Sequence, residues 1–98
     1  MNVKKTIEGD TLRIAVSGRL DSSTSQEVEN IIADEPEEIR NLVFDFAELE
    51  YISSAGLRVL LTAQASVEER GNMKVIHVNE VVREVFEVTG LSDILDIE

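Results

Sequence analysis

Leu42-Val43-Phe44-Asp45-Phe46, followed after a short acidic stretch by Tyr51-Ile52-Ser53-Ser54-Ala55-Gly56-Leu57-Arg58-Val59-Leu60-Leu61, is the part of the sequence on which the fold turns. The first five residues are mostly apolar and rich in strand formers, which predicts a strand buried on both faces, as in a parallel sheet. Beyond Ser53-Ser54 the pattern turns helical: Gly56, Val59, Leu60, Ala63 and Val67 share one face, and Leu57 and Leu61 widen it. This helix is expected to end near Arg70, with Gly71 as its C-terminal cap. A buried strand feeding an amphipathic helix is the building unit of an α/β domain.

Upstream, residues 3–7 and 12–16 alternate in polarity and flank Gly9-Asp10, a two-residue hairpin signal. Leu12, Ile14 and Val16 share one face; Val3, Lys5 and Ile7 share another, and Lys5 marks an edge strand. Residues 17–21 are expected as a loop. In Ser22-Ser23-Thr24-Ser25, Thr24 with Glu27 has capping-box form, and Val28, Ile31 and Ile32 carry a helix to about Asp34. Pro36 lies just beyond, Glu35 is biased away from helix, and residues 36–38 read as an exposed loop. Downstream, residues 74–78 form a short apolar strand that contains the single histidine, His77. Asn79 then caps a third helix that points Val82, Val85, Phe86 and Thr89 inward and stops at Gly90. Residues 91–97 read as a short helix over the sheet edge and a last strand. The order β-β-α-β-α-β-α implies one α/β domain over residues 1–98. Its sheet is small, mixed and mainly parallel, with an N-terminal β-hairpin, helices packed against it and right-handed crossovers.

Composition narrows the function. With no cysteine there are no disulfides, thiolate metal sites or thiol nucleophiles, which fits a reducing compartment. No apolar run is long enough to span a membrane and no signal peptide is visible, so the cytoplasm is the expected location. Twenty acidic against nine basic residues give a net charge of −11, which repels nucleic acid and anionic membranes. That charge serves solubility and also suits a cationic protein partner.

Recognisable catalytic chemistry is nearly absent. His77 reads as a structural residue within its strand. A Ser-His-Asp arrangement needs Ser54 within hydrogen-bond reach of it, and the G-x-S-x-G pattern is missing around Ser54. There is no phosphate-cradling glycine loop, no EF-hand and no histidine pair for zinc, so no cofactor or metal is expected. Asp45 reads as mid-strand, with no acidic pair to accompany it, which disfavours a receiver-type phosphoacceptor. What remains is Ser53-Ser54 at the start of a helix. A serine there serves as an N-cap, worth about 0.5–2 kcal/mol. The same position suits a phosphate, because unpaired N–H groups and the positive end of the helix dipole face it. Phosphorylation adds about −1.5 to −2 charges, and Asp21, Asp45, Glu48 and Glu50 are read as the acids nearby.

These residues resemble the signature of STAS-domain anti-sigma factor antagonists: a buried strand, a short turn, then D-S-[ST]-G-L at a helix start. Val16-Ser17-Gly18-Arg19-Leu20-Asp21 is similar to the family's G-x-L-D stretch, and Gly71-Asn72-Met73-Lys74-Val75 and Val88-Thr89-Gly90-Leu91 match later landmarks. The resemblance covers nearly the whole chain. It implies a single STAS domain that is a binder and a kinase substrate rather than an enzyme. The implied partners are an anti-sigma factor that is also a serine kinase and a metal-dependent serine phosphatase that resets the switch. It places the phosphate on Ser54, with Ser53 as the alternative acceptor. Two departures stand out: Ser53 replaces the family's aspartate and Ala55 its second hydroxyl residue. The expected partner face comprises Asp21, Ser22, Ser23, Ser53, Ser54, Ala55, Gly56, Leu57 and Arg58. Leu57 or Leu61 would anchor a partner if uncovered, although Leu61 is expected in the core. The chain is expected to be monomeric. A constitutive STAS module, bound but not modified, is the alternative.

Overall fold

The computed structural model, which describes residues 2–34 and 38–98, begins with the expected hairpin. β1 (Asn2–Glu8) pairs antiparallel with β2 (Thr11–Leu20) across Gly9-Asp10, where Gly9 takes a φ of 61° that its missing Cβ permits. The register sets Val3 against Val16, Lys5 against Ile14 and Ile7 against Leu12. Both apolar sets therefore lie on one face of the sheet rather than on two. β1 is the edge strand, as Lys5 suggested.

β2 does not stop at Val16. It continues through residues 17–20, which the sequence had suggested as a loop, by way of a register shift between Gly18 and Arg19. Gly18 sits at φ 81°, and its N–H donates to the Glu48 carbonyl at 3.0 Å. A bulge of this kind bends a strand and re-aims it. The first half of β2 pairs in parallel with β3 (Asn41–Asp45), and residues 18–20 pair in parallel with β4 (Leu49–Ile52), a strand the sequence pattern had shown only as Tyr51-Ile52 after a turn.

α1 (Ser22–Ala33) starts earlier than the Thr24–Glu27 pattern implied. Asp21 is its N-cap, and the capping box is closed by Thr24: the Asp21 carboxylate accepts from the Thr24 N–H, and the Asp21 N–H donates to Thr24 Oγ1. The stop at Glu35-Pro36 and the loop at 36–37 lie outside the described residues; Glu38 is exposed. α2 (Ser54–Val67) ends about a turn before Arg70. Gly71 is not a left-handed cap. Its N–H donates to Val67 O at 2.8 Å, and a Cβ there would overlap the carbonyl of Arg40. β5 (Asn72–Ile76) and β6 (Asp96–Ile97) extend the sheet to the order β1-β2-β3-β5-β6, with every pairing after the hairpin parallel.

α3 (Glu80–Thr89) is capped as predicted: the Val82 N–H donates to Asn79 Oδ1 at 2.9 Å, and the helix stops at Gly90 with φ 82°. Val82 and Phe86 are buried and Val85 is half-buried, but Thr89 points outward, its hydroxyl returning to the Val85 carbonyl at 2.7 Å. A 3₁₀ turn (Leu91–Asp93) leads into β6.

One core joins the sheet to the helices. Leu12, Ile14 and Val16 of β2, Leu42 and Phe44 of β3, and Met73 and Val75 of β5 meet Val28 of α1, Val59, Leu60, Ala63 and Val67 of α2 and Phe86 of α3. Each large side chain so buried contributes about 1.5–3 kcal/mol. Along β3 the burial alternates, with Leu42 and Phe44 inside and Val43 and Asp45 partly exposed. The strand expected to be buried on both faces is fully covered on one, because the core side chains of the described helices all meet the same side of the sheet.

Candidate functional site

Two parallel strands deliver the candidate residues to one edge of the sheet. Leu20 of β2 stands opposite Ile52 of β4, and the Ser53 N–H donates to the Leu20 carbonyl at 2.9 Å. Each strand then turns directly into a helix, so the start of α1, capped by Asp21, lies beside the start of α2, capped by Ser53. This brings together Asp21, Ser22 and Ser23 with Ser53, Ser54 and Arg58, residues about thirty positions apart in sequence.

Their side chains differ in what they can do. The Asp21 carboxylate accepts from the Ser23 hydroxyl at 2.8 Å and from the Ser23 N–H at 3.0 Å. The Ser23 hydroxyl holds that carboxyl below the usual range; desolvation opposes it, and the N–H groups of Ser23 and Thr24 add to it. Asp21 is therefore a fixed negative charge at the mouth of α1. Ser53 is half-buried, and its hydroxyl accepts a long bond, 3.4 Å, from the Gly56 N–H. Ser54 is exposed, is the first residue of α2, and makes no side-chain hydrogen bond among the described residues. Ser22, Ser23 and Arg58 are exposed, and Ala55 and Leu57 are half-buried, with Leu57 packed on the core. Leu61, expected inside, is 38% exposed.

Gly56 is buried. A Cβ there would meet Ile52 Cγ1 at 2.7 Å and the Leu20 carbonyl oxygen at 2.8 Å. The glycine lets α2 sit against the end of β2, and it is this contact that sets the two helix starts side by side.

Sequence patterns alone did not single out a neighbouring pair. Arg19 Cζ lies 4.4 Å from the centroid of the Tyr51 ring, and Arg19 Nε is 3.8 Å from the Asp21 carboxylate. Tyr51 is 41% exposed, whereas Phe44, Phe46 and Phe86 are fully buried. The pairing follows from the β2–β4 register, which places Arg19 opposite Tyr51; no spacing within either segment announces it.

His77 is not inside a strand. It follows β5, is exposed, and adopts a left-handed φ of 59°. Its Nδ1 lies 2.9 Å from Asp45 Oδ1, which also accepts from the Ala47 N–H at 3.0 Å, while Arg13 Nη2 reaches Asp45 Oδ2 at 2.6 Å. Asp45 is the last residue of β3 rather than mid-strand, and its carboxylate is taken up by these partners instead of standing free among the acids around Ser54. Asp45 and His77 thus meet, but Ser54 bonds to neither, so no Ser-His-Asp relay is assembled. Among the described residues no group of acidic or histidine side chains could hold a metal ion, and no helix is long and apolar enough to cross a membrane.

Comparison with known proteins shows the family to which the fold belongs. The family model described as Mlab, STAS domain, matches residues 3–96. The anti-sigma-B factor antagonist of Listeria monocytogenes is 31% identical over 98 residues, covering 96% of this chain and 84% of its own. An anti-sigma factor antagonist from Mycobacterium paratuberculosis superposes with a TM-score of 0.83 at 23% identity, over 98% of this chain and 83% of that one. Bacillus SpoIIAA in its phosphorylated form superposes with a TM-score of 0.80 at 18% identity, over 99% of this chain and 91% of that one. At such identities the two structures speak to the fold alone.

Proposed function

This chain belongs to the STAS-domain family of anti-sigma factor antagonists, and from that premise we propose that it binds an anti-sigma factor that is also a serine kinase, frees the sigma factor held there, and is switched off when that kinase phosphorylates Ser54. The observation that carries the reading is the difference between the two serines. Ser53 spends its hydroxyl on the helix cap, whereas Ser54 presents an uncommitted hydroxyl to solvent at the first position of α2.

Physical chemistry makes that position a switch with little structural cost. A phosphate on Ser54 would sit at the positive end of the helix dipole, near N–H groups that lack intrahelical partners. The fold of α2 would tolerate it. A partner docked over Asp21, Ser22, Ser23, Ser54 and Arg58 would meet about two extra negative charges in a desolvated contact, where like charges are costly. A metal-dependent serine phosphatase would restore the binding form. The chain supplies an acceptor hydroxyl and a surface; the chemistry belongs to its partners. SpoIIAA, of the same fold, is known in a phosphorylated form, which supports the reading by analogy.

The test is incubation with the cognate kinase and ATP, followed by intact-mass measurement. One added phosphate is expected on the wild type and on Ser53→Ala, and none on Ser54→Ala. A gain that persists in Ser54→Ala would assign the site elsewhere. In parallel, Ser54→Asp should weaken partner binding markedly; unchanged affinity would make the chain a constitutive interaction module.

A further inference from the structure

One flank of α3, between its buried side and its charged outer side, carries apolar residues into solvent. Val81 is 61% exposed, Val88 is 79% exposed, and Val85 between them is half-buried. At positions i, i+4 and i+7 the three valines form one stripe. With Glu84 and Thr89 they form a shallow open face made by this one helix. Val85 packs against the core beside Val82 and Phe86, whereas Val81 and Val88 lie mostly in solvent.

Charge beside this face narrows what can cover it. Glu84 borders the valines, and Glu80 and Glu87 follow it along the helix, at i−4 and i+3, farther from them. Arg83, the helix's one basic residue, lies away from the valines and neighbours Glu80 and Glu87 at i−3 and i+4, which leaves Glu84 as the charge beside the stripe. A second copy of this chain would bring another Glu84 and another net charge of −11 against this face, so self-association is opposed. A partner carrying apolar residues at the same helical spacing, flanked by lysine or arginine, fits both features. We propose that the Val81–Val85–Val88 face docks a cationic amphipathic helix of another protein. None of these residues belongs to the Ser54 face, and the proposal does not depend on the function proposed for that face.

The test uses the full ¹⁵N-labelled chain and a synthetic amphipathic helix of leucine and lysine, leucines at i, i+3, i+4 and i+7. A peptide of the same composition with its leucines dispersed is the control. The ordered peptide should shift amide resonances concentrated in residues 80–89. Val88→Gln, which keeps every charge and alters a side chain lying almost wholly in solvent, should weaken its binding about tenfold, the loss typical of an interface anchor. Glu84→Gln should weaken it in a salt-dependent way. Three results would overturn the proposal: no shifts, shifts spread over the whole acidic surface and indifferent to Val88→Gln, or a dimer in sedimentation that Val88→Gln dissolves. The last would assign this face to a second copy.

Discussion

Asp45 Oδ1 lies 2.9 Å from His77 Nδ1, and the contact ties the end of β3 to a non-glycine residue held in left-handed backbone. Such a conformation costs about 1–2 kcal/mol for an ordinary residue, so His77 needs a reason to stay there. The carboxylate supplies one, and the same group takes Arg13 and the Ala47 N–H, joining β2, β3, the β3–β4 turn and the β5–α3 connection at one point.

Acid should therefore loosen this junction. Partial burial pushes the Asp45 carboxyl up, but hydrogen bonds from His77, Arg13 and the Ala47 N–H outweigh it and lower the pKa from 3.8 to about 2. A carboxyl depressed in the folded state stabilises above its unfolded value, and the benefit is lost as pH falls from about 4 through 2. Because Arg13 and His77 are themselves half-exposed, the contribution is at most about 2 kcal/mol. Urea unfolding of the wild type and Asp45→Asn should show a gap at neutral pH that closes towards pH ~2; a gap independent of pH would remove the carboxylate's charge as its source.

The two serines at the head of α2 should separate cleanly in stability measurements. Ser53→Ala removes a cap whose bond is long, so a loss near the low end of the usual range, about 0.5–1 kcal/mol, is expected. Ser54→Ala should change stability by less than about 0.5 kcal/mol, as for other exposed sites. Thermal denaturation decides the matter, and the reverse order would mean that Ser54 is the capping residue.

Gly56→Ala places a methyl 2.8 Å from the Leu20 carbonyl oxygen, an overpacking that should cost about 1–3 kcal/mol. Gly71→Ala should cost at least as much, because the atoms it would overlap belong to the Arg40 backbone and cannot rotate aside. Equilibrium unfolding in denaturant reads both, and a Gly56→Ala protein as stable as the wild type would show that α2 can move away from β2.

Tyr51→Ala and Arg19→Ala should barely affect folding, since an exposed cation–π contact is worth about 0.5–1 kcal/mol. If the edge carrying Ser54 is the docking face, both should weaken binding of the anti-sigma factor by more than about 1 kcal/mol, because preorganised Tyr and Arg side chains are frequent interface anchors. Titration calorimetry with the isolated anti-sigma factor tests this; full affinity in both variants would place the contact away from β4.

Much of the fold was legible because local patterns have local causes. The alternation about Gly9-Asp10, the helical repeat from Gly56 to Val67, and Asn79 and Gly90 at the two ends of α3 each describe interactions within a few residues of one another. The candidate site was partly legible for the same reason: a serine before an apolar helical repeat is a helix start wherever that helix packs.

Other features depended on partners distant in sequence. The extension of β2 through residues 17–20 exists because β4 arrives to pair with it, and Gly18 reads as a turn until that pairing is made. Asp45 and His77, some thirty residues apart, become one charged cluster only when β3 and β5 lie side by side. The sequence by itself determined the hairpin, the alternation of helices with strands, the capped third helix and a serine at the head of α2, because periodicity and capping are short-range. The tertiary structure alone decided that Arg19 and Tyr51 stand beside Asp21, that Gly56 packs on Leu20 and Ile52, and that Leu61, Val81 and Val88 face solvent. Those outcomes depend on which surfaces the sheet brings together, and spacing along a single segment does not encode that.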